Sequence, residues 1–252
     1  MTAQTQKLEM LKGKYEGRRC FIMGNGPSLN QTRLELLKNE FVWGFNKIYL
    51  LFDRISWRPA FYVTNDRRLT EHISEEINGL INQLPKATFF FPDHFVKKEL
   101  NNSYQHEQIY WYHEIPWDSS QDRQTPLFSR DPSKYVVNTA TVTIAGLQLA
   151  TYLGFNPIYL VGCDTTYTIP PTVKLENGNP ELLTSTANDD PNHFTASYSG
   201  EGDKWSAPNV PLMIAQYEDA RQALEETNTR VYNATVGGQL EVFPRVDFAS
   251  LF

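Results

Sequence analysis

The chain has 252 residues, of which 40% are hydrophobic and 21% are charged, and its net charge is −6. This composition is ordinary for a folded globular protein and is sufficient for a substantial core. An acidic chain without blocks of like charge lacks the basic surface of a nucleic-acid-binding protein, so we expect no nucleic acid among its partners.

The cysteines and the chain's apolar runs indicate its compartment. Cys20 and Cys163 both lie in apolar runs, so we expect buried reduced thiols rather than a disulfide framework or a zinc site. The polar N-terminal stretch predicts no signal peptide, and no apolar run approaches the ~20 residues that a membrane span needs. The sequence therefore predicts a cytoplasmic protein, with the inner face of the membrane as a second location.

Short apolar runs alternate with helical patterns along the chain. The runs that predict strands cover residues 19–23, 41–45, 60–64, 88–91, 108–112, 157–162 and 231–233, and the helical patterns cover residues 7–15, 34–39, 71–84, 141–153 and 212–227. This alternation predicts an α/β fold with a mainly parallel sheet and helices on both faces, in one domain over residues 1–252. The long polar stretch at about 165–205 predicts a lid loop.

A small-residue loop, Gly24-Asn25-Gly26-Pro27-Ser28, follows the first predicted strand. Glycines let backbone amides approach an anion, and a following helix N-terminus adds a positive dipole, so the loop is a candidate phosphate site. A tight turn with Ser28 as helix N-cap is the alternative. The loop is neither G-x-G-x-x-G nor a Walker loop, and Asn46 stands where an NAD site needs an acidic residue, which argues against a dehydrogenase.

Further polar residues follow the predicted strands. Asn25, Asn46 and Asn65 each stand directly after a strand, and ligands of parallel sheets bind at that edge, so we expect the three amides to converge on a nucleotide. Each could instead be a turn residue. Other nucleotide-binding candidates are Thr139 and Thr141 at the start of the helical pattern at 141–153, and Asp164, Thr166 and Tyr167 after the strand at 157–162.

His193 lies in Asp189-Asp190-Pro191-Asn192-His193-Phe194, within the predicted lid. Imidazole has a pKa near 6.5 and can accept a proton from a substrate hydroxyl, whereas a lone loop histidine is usually only solvated. The remaining four histidines have no comparable setting, and no histidine pair has metal-ligand spacing. The sequence predicts His193 as the candidate general base.

Several segments resemble a known family when taken in order. They are Cys20-Phe21-Ile22-Met23-Gly24-Asn25-Gly26-Pro27-Ser28-Leu29, Phe45-Asn46-Lys47-Ile48-Tyr49, Tyr62-Val63-Thr64-Asn65, residues 149–164 and Asn192-His193-Phe194. This series is similar to the bacterial sialyltransferases of glycosyltransferase family 42. It is equally similar to a related domain-of-unknown-function group, DUF115, that includes archaeal 6-hydroxymethylpterin diphosphokinases.

The resemblance implies a modified Rossmann fold of the sialyltransferase type, and it also implies roles for the candidate site residues. It implies that Asn25, Asn46 and Asn65 contact the nucleotide of a CMP-sugar and that His193 is the general base. In the sialyltransferases, tyrosines after the residue matching Asp164 hold the phosphate. Here Thr166 occupies the matching position and Tyr167 lies one place later, while residues 138–141 replace an Arg-x-Thr-Ser-Gly segment. The family also suggests a homo-oligomer.

The leading hypothesis is therefore inverting transfer of a CMP-activated acidic sugar to a cell-surface glycan, with no metal required. The alternative is diphosphate transfer from ATP to 6-hydroxymethylpterin, which needs Mg²⁺ on the phosphates. Asp66, Asp164, Asp189 and Asp190 would then be candidate ligands, with the first two preferred. A third hypothesis is a non-catalytic nucleotide-binding protein, in which His193 has no chemical role.

Overall fold

The structure is a computed structural model that describes residues 3–94, 106–118, 120 and 124–252. The α-helices in these ranges are α1 (Ala3–Glu9), α2 (Arg67–His72), α3 (Ser74–Gln83), α4 (Val142–Tyr152) and α5 (Val210–Glu225). The strands are β1 (Cys20–Met23), β2 (Phe41–Phe45), β3 (Phe61–Val63), β4 (Thr88–Pro92), β5 (Ile109–Tyr112), β6 (Glu114–Pro116), β7 (Val136–Asn138), β8 (Ile158–Val161), β9 (Lys174–Glu176), β10 (Asn179–Thr184), β11 (Lys204–Ser206) and β12 (Val231–Asn233).

The central sheet has seven strands in the order β12-β8-β1-β2-β3-β4-β5, and every neighbouring pair is parallel. All four residues of β1 are buried, as expected for a strand covered on both faces. From β1 the chain runs outward to β5 on one side and later returns to add β8 and β12 on the other. The loops after β1 and β8 therefore diverge at a topological switch point, where such sheets bind ligands.

Helices cover both faces of this sheet, so the fold class predicted from the sequence is confirmed. Alternate strand residues point to opposite cores: in β1, Cys20 and Ile22 join one core and Phe21 and Met23 join the other. The first core is completed by α1, α4 and α5, and the second by α3 and short 3₁₀ segments. This arrangement leaves the carboxyl edge of the sheet as the place for a site.

Two small sheets flank that edge. Strands β6 and β7 form a parallel pair, and β9, β10 and β11 form an antiparallel sheet. The antiparallel sheet spans residues 174–206, almost all of it within the stretch at about 165–205 that the sequence predicted as a loop. Its strands are short and mostly exposed, so they carry no apolar alternation from which they could be predicted.

The boundaries of the other predicted elements agree closely with the structure, with three differences. The pattern at 71–84 belongs to two helices, since α2 ends at His72 and α3 begins at Ser74. The segment at 34–39 contains a 3₁₀ helix, Leu34–Leu37, and only the first part of 7–15 is helical. Within the described ranges, no helix combines the length and the apolar character needed to cross a bilayer.

Candidate active site

A cavity of about 710 Å³ opens at the carboxyl edge of the central sheet. It is lined by most of the residues that the sequence singled out, namely Gly24, Asn25, Gly26, Asn46, Asn65, Thr139, Thr141, Asp164, Thr166, Tyr167 and His193. Pro27 and Ser28 are not among the residues that line it. The amides after β1, β2 and β3 thus surround one space, as the strand-end argument predicted.

The two loops of the switch point are bonded to each other. Both carboxylate oxygens of Asp164 accept from Ser28, one from its backbone N–H at 3.1 Å and one from its hydroxyl at 2.7 Å. A Cβ added to Gly26 would lie 1.8 Å from the Asp164 carboxylate, and one on Gly24 would lie 2.4 Å from the Gly162 carbonyl oxygen. The two glycines are therefore required by this close approach.

This contact changes what the loop can offer an anion. The N–H groups of Gly24 and Gly26 donate to the carbonyls of Val161 and Gly162, and that of Ser28 donates to Asp164. Of the five residues in the loop, Asn25 alone keeps a backbone N–H without a protein partner in the described structure. The loop therefore does not present the row of free amides that the sequence predicted. Asp164 therefore caps the neighbouring loop.

Asn25 and Asn46 each leave one oxygen for a ligand. Asn25 Nδ2 donates to the Phe45 carbonyl at 3.1 Å and to the Tyr198 hydroxyl at 2.9 Å. Asn46 adopts a left-handed backbone with φ of 50° and accepts from the Tyr62 hydroxyl through its carbonyl. The Oδ1 atoms of both amides are buried and have no partner within the described residues. Buried polar atoms are normally satisfied, so a ligand with hydrogen-bond donors fits here.

Asn65 bonds to a carboxylate that the sequence analysis missed. Its Nδ2 donates to Glu114 Oε1 at 3.2 Å and to Asn138 Oδ1 at 3.4 Å, and His94 Nε2 lies 3.7 Å from the other Glu114 oxygen. Burial raises the pKa of Glu114 to about 7, opposed by the Asn65 bond and reinforced by Asp93. This end of the cavity therefore contains a carboxyl group that titrates near neutrality.

The residues before α4 bond mainly to one another. The Thr139 hydroxyl donates to the Thr141 carbonyl at 2.9 Å, and the Thr141 hydroxyl lies 2.9 Å from that of Thr143. Thr141 is the N-cap residue, but its side chain makes no capping hydrogen bond. Thr139, Thr141 and Thr143 all line the cavity, so the N-terminal end of α4 lies beside it. Across the cavity, Tyr167 is 37% exposed, so its ring is accessible.

His193 is held by a carboxylate and an aromatic ring. Its Nδ1 lies 2.7 Å from Asp190 Oδ2, and its ring stacks on Tyr198 with centroids 3.8 Å apart and planes 9° apart. Asp190 also accepts from the backbone N–H groups of Asn192 and Ser199. Burial opposes ionisation of Asp190, but the bond and charge of His193 together hold the pKa of that carboxyl below its usual value. An ionised Asp190 keeps the proton on Nδ1 and leaves Nε2 as an acceptor.

The segment that carries His193 is bonded to the sheet loops. The Phe194 N–H donates to the Asn25 carbonyl at 3.0 Å, next to the Asn25 side chain that bonds Tyr198. Asn192 exchanges two 2.8 Å hydrogen bonds with the backbone of Thr168. In the structure this part of the predicted lid therefore lines the cavity and is hydrogen-bonded to the loop after β1.

The four aspartates considered as magnesium ligands are engaged elsewhere. Asp66 caps α2 by accepting from the Leu69 N–H, and Asp189 accepts from the Thr172 hydroxyl. Asp164 and Asp190 have the partners described above. Within the described ranges, no group of three or more histidine, cysteine or acidic side chains could hold a metal ion. In the described structure each of the four carboxylates thus already accepts at least one hydrogen bond from the protein.

Sequence reasoning did not assign three further site residues, Lys47, Glu114 and Tyr198, and it considered Asp190 only as a metal ligand. Asp190 stands three residues before His193, and that spacing was a usable signal. Lys47 follows Asn46 directly, but its partners lie more than 150 positions later. No local pattern pairs residues so far apart, so these contacts required the fold.

Comparisons with known proteins agree with this architecture. The profile of the family described as "6-hydroxymethylpterin diphosphokinase MptE-like" matches residues 1–170. The MAf glycosyltransferase from Magnetospirillum magneticum AMB-1 has a similar structure, with a TM-score of 0.52 at 15% identity. The match covers 99% of this chain but 39% of that protein, and at this identity it shows a shared fold. No curated protein sequence matches the chain.

Structures of the sialyltransferase CstII from Campylobacter jejuni are also similar, at lower scores. The complex with CMP-3FNeuAc has a TM-score of 0.47 at 13% identity, covering 91% of this chain and 86% of that one. The complex with a trisaccharide acceptor and CMP has a TM-score of 0.46 at 16% identity, with the same coverage.

Proposed function

The chain belongs to the 6-hydroxymethylpterin diphosphokinase MptE-like family. For this member of the family we propose that it is a glycosyltransferase that uses a nucleotide sugar. The observation that carries the proposal is the Asp190–His193 pair, which places an oriented imidazole in the same cavity as the three strand-end amides. A base beside a nucleotide site is what removal of a proton from an acceptor hydroxyl requires.

In the proposed reaction, His193 Nε2 takes the proton of an acceptor hydroxyl as that oxygen attacks the anomeric carbon. The bond from that carbon to the CMP phosphate breaks on the opposite face, which inverts the configuration. Hydrogen-bond donors that face the departing phosphate can each contribute about 3 kcal/mol. The free amides at the start of α4, the Asn25 N–H and the Tyr167 hydroxyl are the candidates for this role.

The donor is proposed to be a CMP-activated acidic sugar and the acceptor a cell-surface glycan, with no metal requirement. The orphaned oxygens of Asn25 and Asn46 match hydroxyl or amino donors of a nucleoside. Diphosphate transfer is not favoured, because both oxygens of Asp164 are bonded to Ser28 and Asp190 is bonded to His193.

A paired binding and turnover experiment tests this function. Thermal shift is measured with CMP, and separately with ATP and Mg²⁺, on wild type, His193→Ala and the control His106→Ala, an exposed histidine outside the cavity. We expect CMP to stabilise all three proteins, and release of CMP from CMP-N-acetylneuraminate to be lost in His193→Ala alone.

Two outcomes would contradict the proposal. Stabilisation by ATP with Mg²⁺ and none by CMP would favour diphosphate transfer. If CMP binds but no variant differs from wild type in turnover, the protein binds nucleotide without using His193 chemically.

A further inference from the structure

Lys47 is a buried cation whose contacts the proposed reaction does not use. It follows Asn46 at the end of β2, lines the cavity, and exposes only 9% of its side chain. Its Nζ donates to the Tyr198 carbonyl at 2.9 Å and to Asp203 Oδ2 at 2.6 Å. A buried ammonium is unfavourable unless it is paired, so these two bonds fix the Lys47 head group firmly.

Tyr198 connects Lys47 to His193. Its ring forms the stacking surface for the imidazole, while its hydroxyl accepts from Asn25 Nδ2 at 2.9 Å. The residue is thus held at its hydroxyl by the loop after β1 and at its carbonyl by Lys47 from the loop after β2. These two contacts fix both ends of the residue whose ring stacks on the imidazole.

Asp203 completes the arrangement. Its Oδ2 accepts from Lys47 and from the Gly200 N–H at 2.9 Å, and its Oδ1 lies 2.6 Å from His72 Nε2 in α2. The turn between Tyr198 and Asp203 is therefore closed on itself and attached to two elements of the main fold. Lys47 is the group that bonds both ends of this turn.

We propose that Lys47 is a positioning residue for His193, acting through Tyr198. Asp190 fixes which imidazole nitrogen carries the proton, and the Lys47–Tyr198 contact fixes the orientation of the ring. The proposal rests on the proposed role of His193 as the base. It predicts that removing the Lys47 ammonium disorders the His193 ring without removing any group that is expected to bind nucleotide.

The test compares Lys47→Met with the double variant Lys47→Met/Asp203→Asn, which avoids leaving the Asp203 carboxylate unpaired. The control is Arg19→Met: Arg19 lies outside the cavity, pairs with Glu40 at 2.6 Å and donates to the Leu251 carbonyl at 2.9 Å. Arg19→Met therefore removes one ion pair and one bond to a backbone carbonyl, the same two kinds of contact that Lys47 makes, at a more exposed position elsewhere in the protein.

The direct readout is the NMR spectrum of the five histidines, with His193 assigned by its loss in His193→Ala. A stacked tyrosine shifts imidazole C–H protons upfield. We expect both Lys47 variants to move the His193 signals toward the position of a free histidine, and Arg19→Met to leave them unchanged. The rate of CMP release from CMP-N-acetylneuraminate is expected to fall about tenfold or more in the Lys47 variants, because misplacement of a catalytic group reduces the rate. The Kd for CMP should stay within about threefold of wild type.

Unchanged His193 signals in both Lys47 variants would overturn the positioning role, whatever happens to the rate. An equal loss in Arg19→Met would also overturn it, because the effect would then be one of general stability. If His193→Ala retains full turnover, the base assignment fails, and the role of Lys47 fails with it.

Discussion

Replacing Gly26 with alanine is expected to break the contact between the two loops of the switch point. The Gly26 backbone, with φ of −68° and ψ of 160°, is open to any residue, so the effect is steric alone. The new Cβ would lie 1.8 Å from Asp164 Oδ2 and 2.8 Å from the Gly162 carbonyl oxygen. The Gly162 oxygen belongs to the backbone, so the Asp164 side chain has to move.

Moving Asp164 removes two hydrogen bonds from Ser28 to a buried carboxylate. Bonds to charged groups contribute about 1.5–3 kcal/mol each, so we expect a loss of roughly 3–5 kcal/mol after local relaxation. In a chain of this size, that corresponds to a fall in Tm of roughly 6–20 °C. CMP should also stabilise the variant less, because the loops that flank the proposed nucleotide site separate.

Thermal and urea unfolding of Gly26→Ala measure this loss, and Gly79→Ala is the matched control. Gly79 lies in α3, where the nearest atom to an added Cβ is Gln83 Nε2 at 3.7 Å. Alanine in a helix interior is favoured over glycine by about 1 kcal/mol, so the control should be slightly more stable than wild type. If Gly26→Ala unfolds at the same temperature as the control, the close approach of the two loops is refuted.

Two further predictions concern carboxyl groups of the cavity. Asp190→Asn is expected to retain CMP binding but to lower turnover roughly 10²- to 10⁴-fold, because an amide N–H facing His193 Nδ1 moves the imidazole proton to Nε2. A wild-type rate would exclude the role of Asp190 in keeping that proton on Nδ1. The pKa of Glu114 is about 7 in the folded protein against 4.5 ordinarily, so its ionisation lowers stability as pH rises from about 4.5 to 7. The free energy of unfolding of Glu114→Gln should therefore exceed that of wild type by up to about 3 kcal/mol at pH 8 and differ little from it at pH 4. A difference in urea unfolding that does not change with pH would contradict this.

Much of the fold was predictable because it depends on local patterns. Buried strands such as β1 and β8 are continuous apolar runs, and α4 is an apolar segment that ends before Gly154. Parallel strands bring their carboxyl ends to one edge, so the convergence of the amides after β1, β2 and β3 followed from chain order alone. The small sheet of β9 to β11 was not predictable, because its short, exposed strands show no regular alternation of apolar and polar residues.

The site was predictable only where a residue's position determines its role. Asn25 and His193 could be proposed from their places after a strand and in the polar segment. Ser28 could not be assigned correctly, because its amide is used by Asp164, which lies 136 positions later. Glu114 is an unremarkable acidic residue in the sequence, and only the packing of β6 against the loop after β3 buries it in the cavity.

The position of β8 beside β1 has a consequence for synthesis of the protein. Strands β1 to β5 have all left the ribosome before β8 is made, so the early chain has only one side of the crevice. A nascent chain that ends at residue 170 contains both loops of the switch point but not yet His193. The polypeptide therefore acquires the two loops of the switch point first and His193 afterwards. Pairing between strands so far apart in sequence is expected to make the assembly of the crevice a slow event in folding.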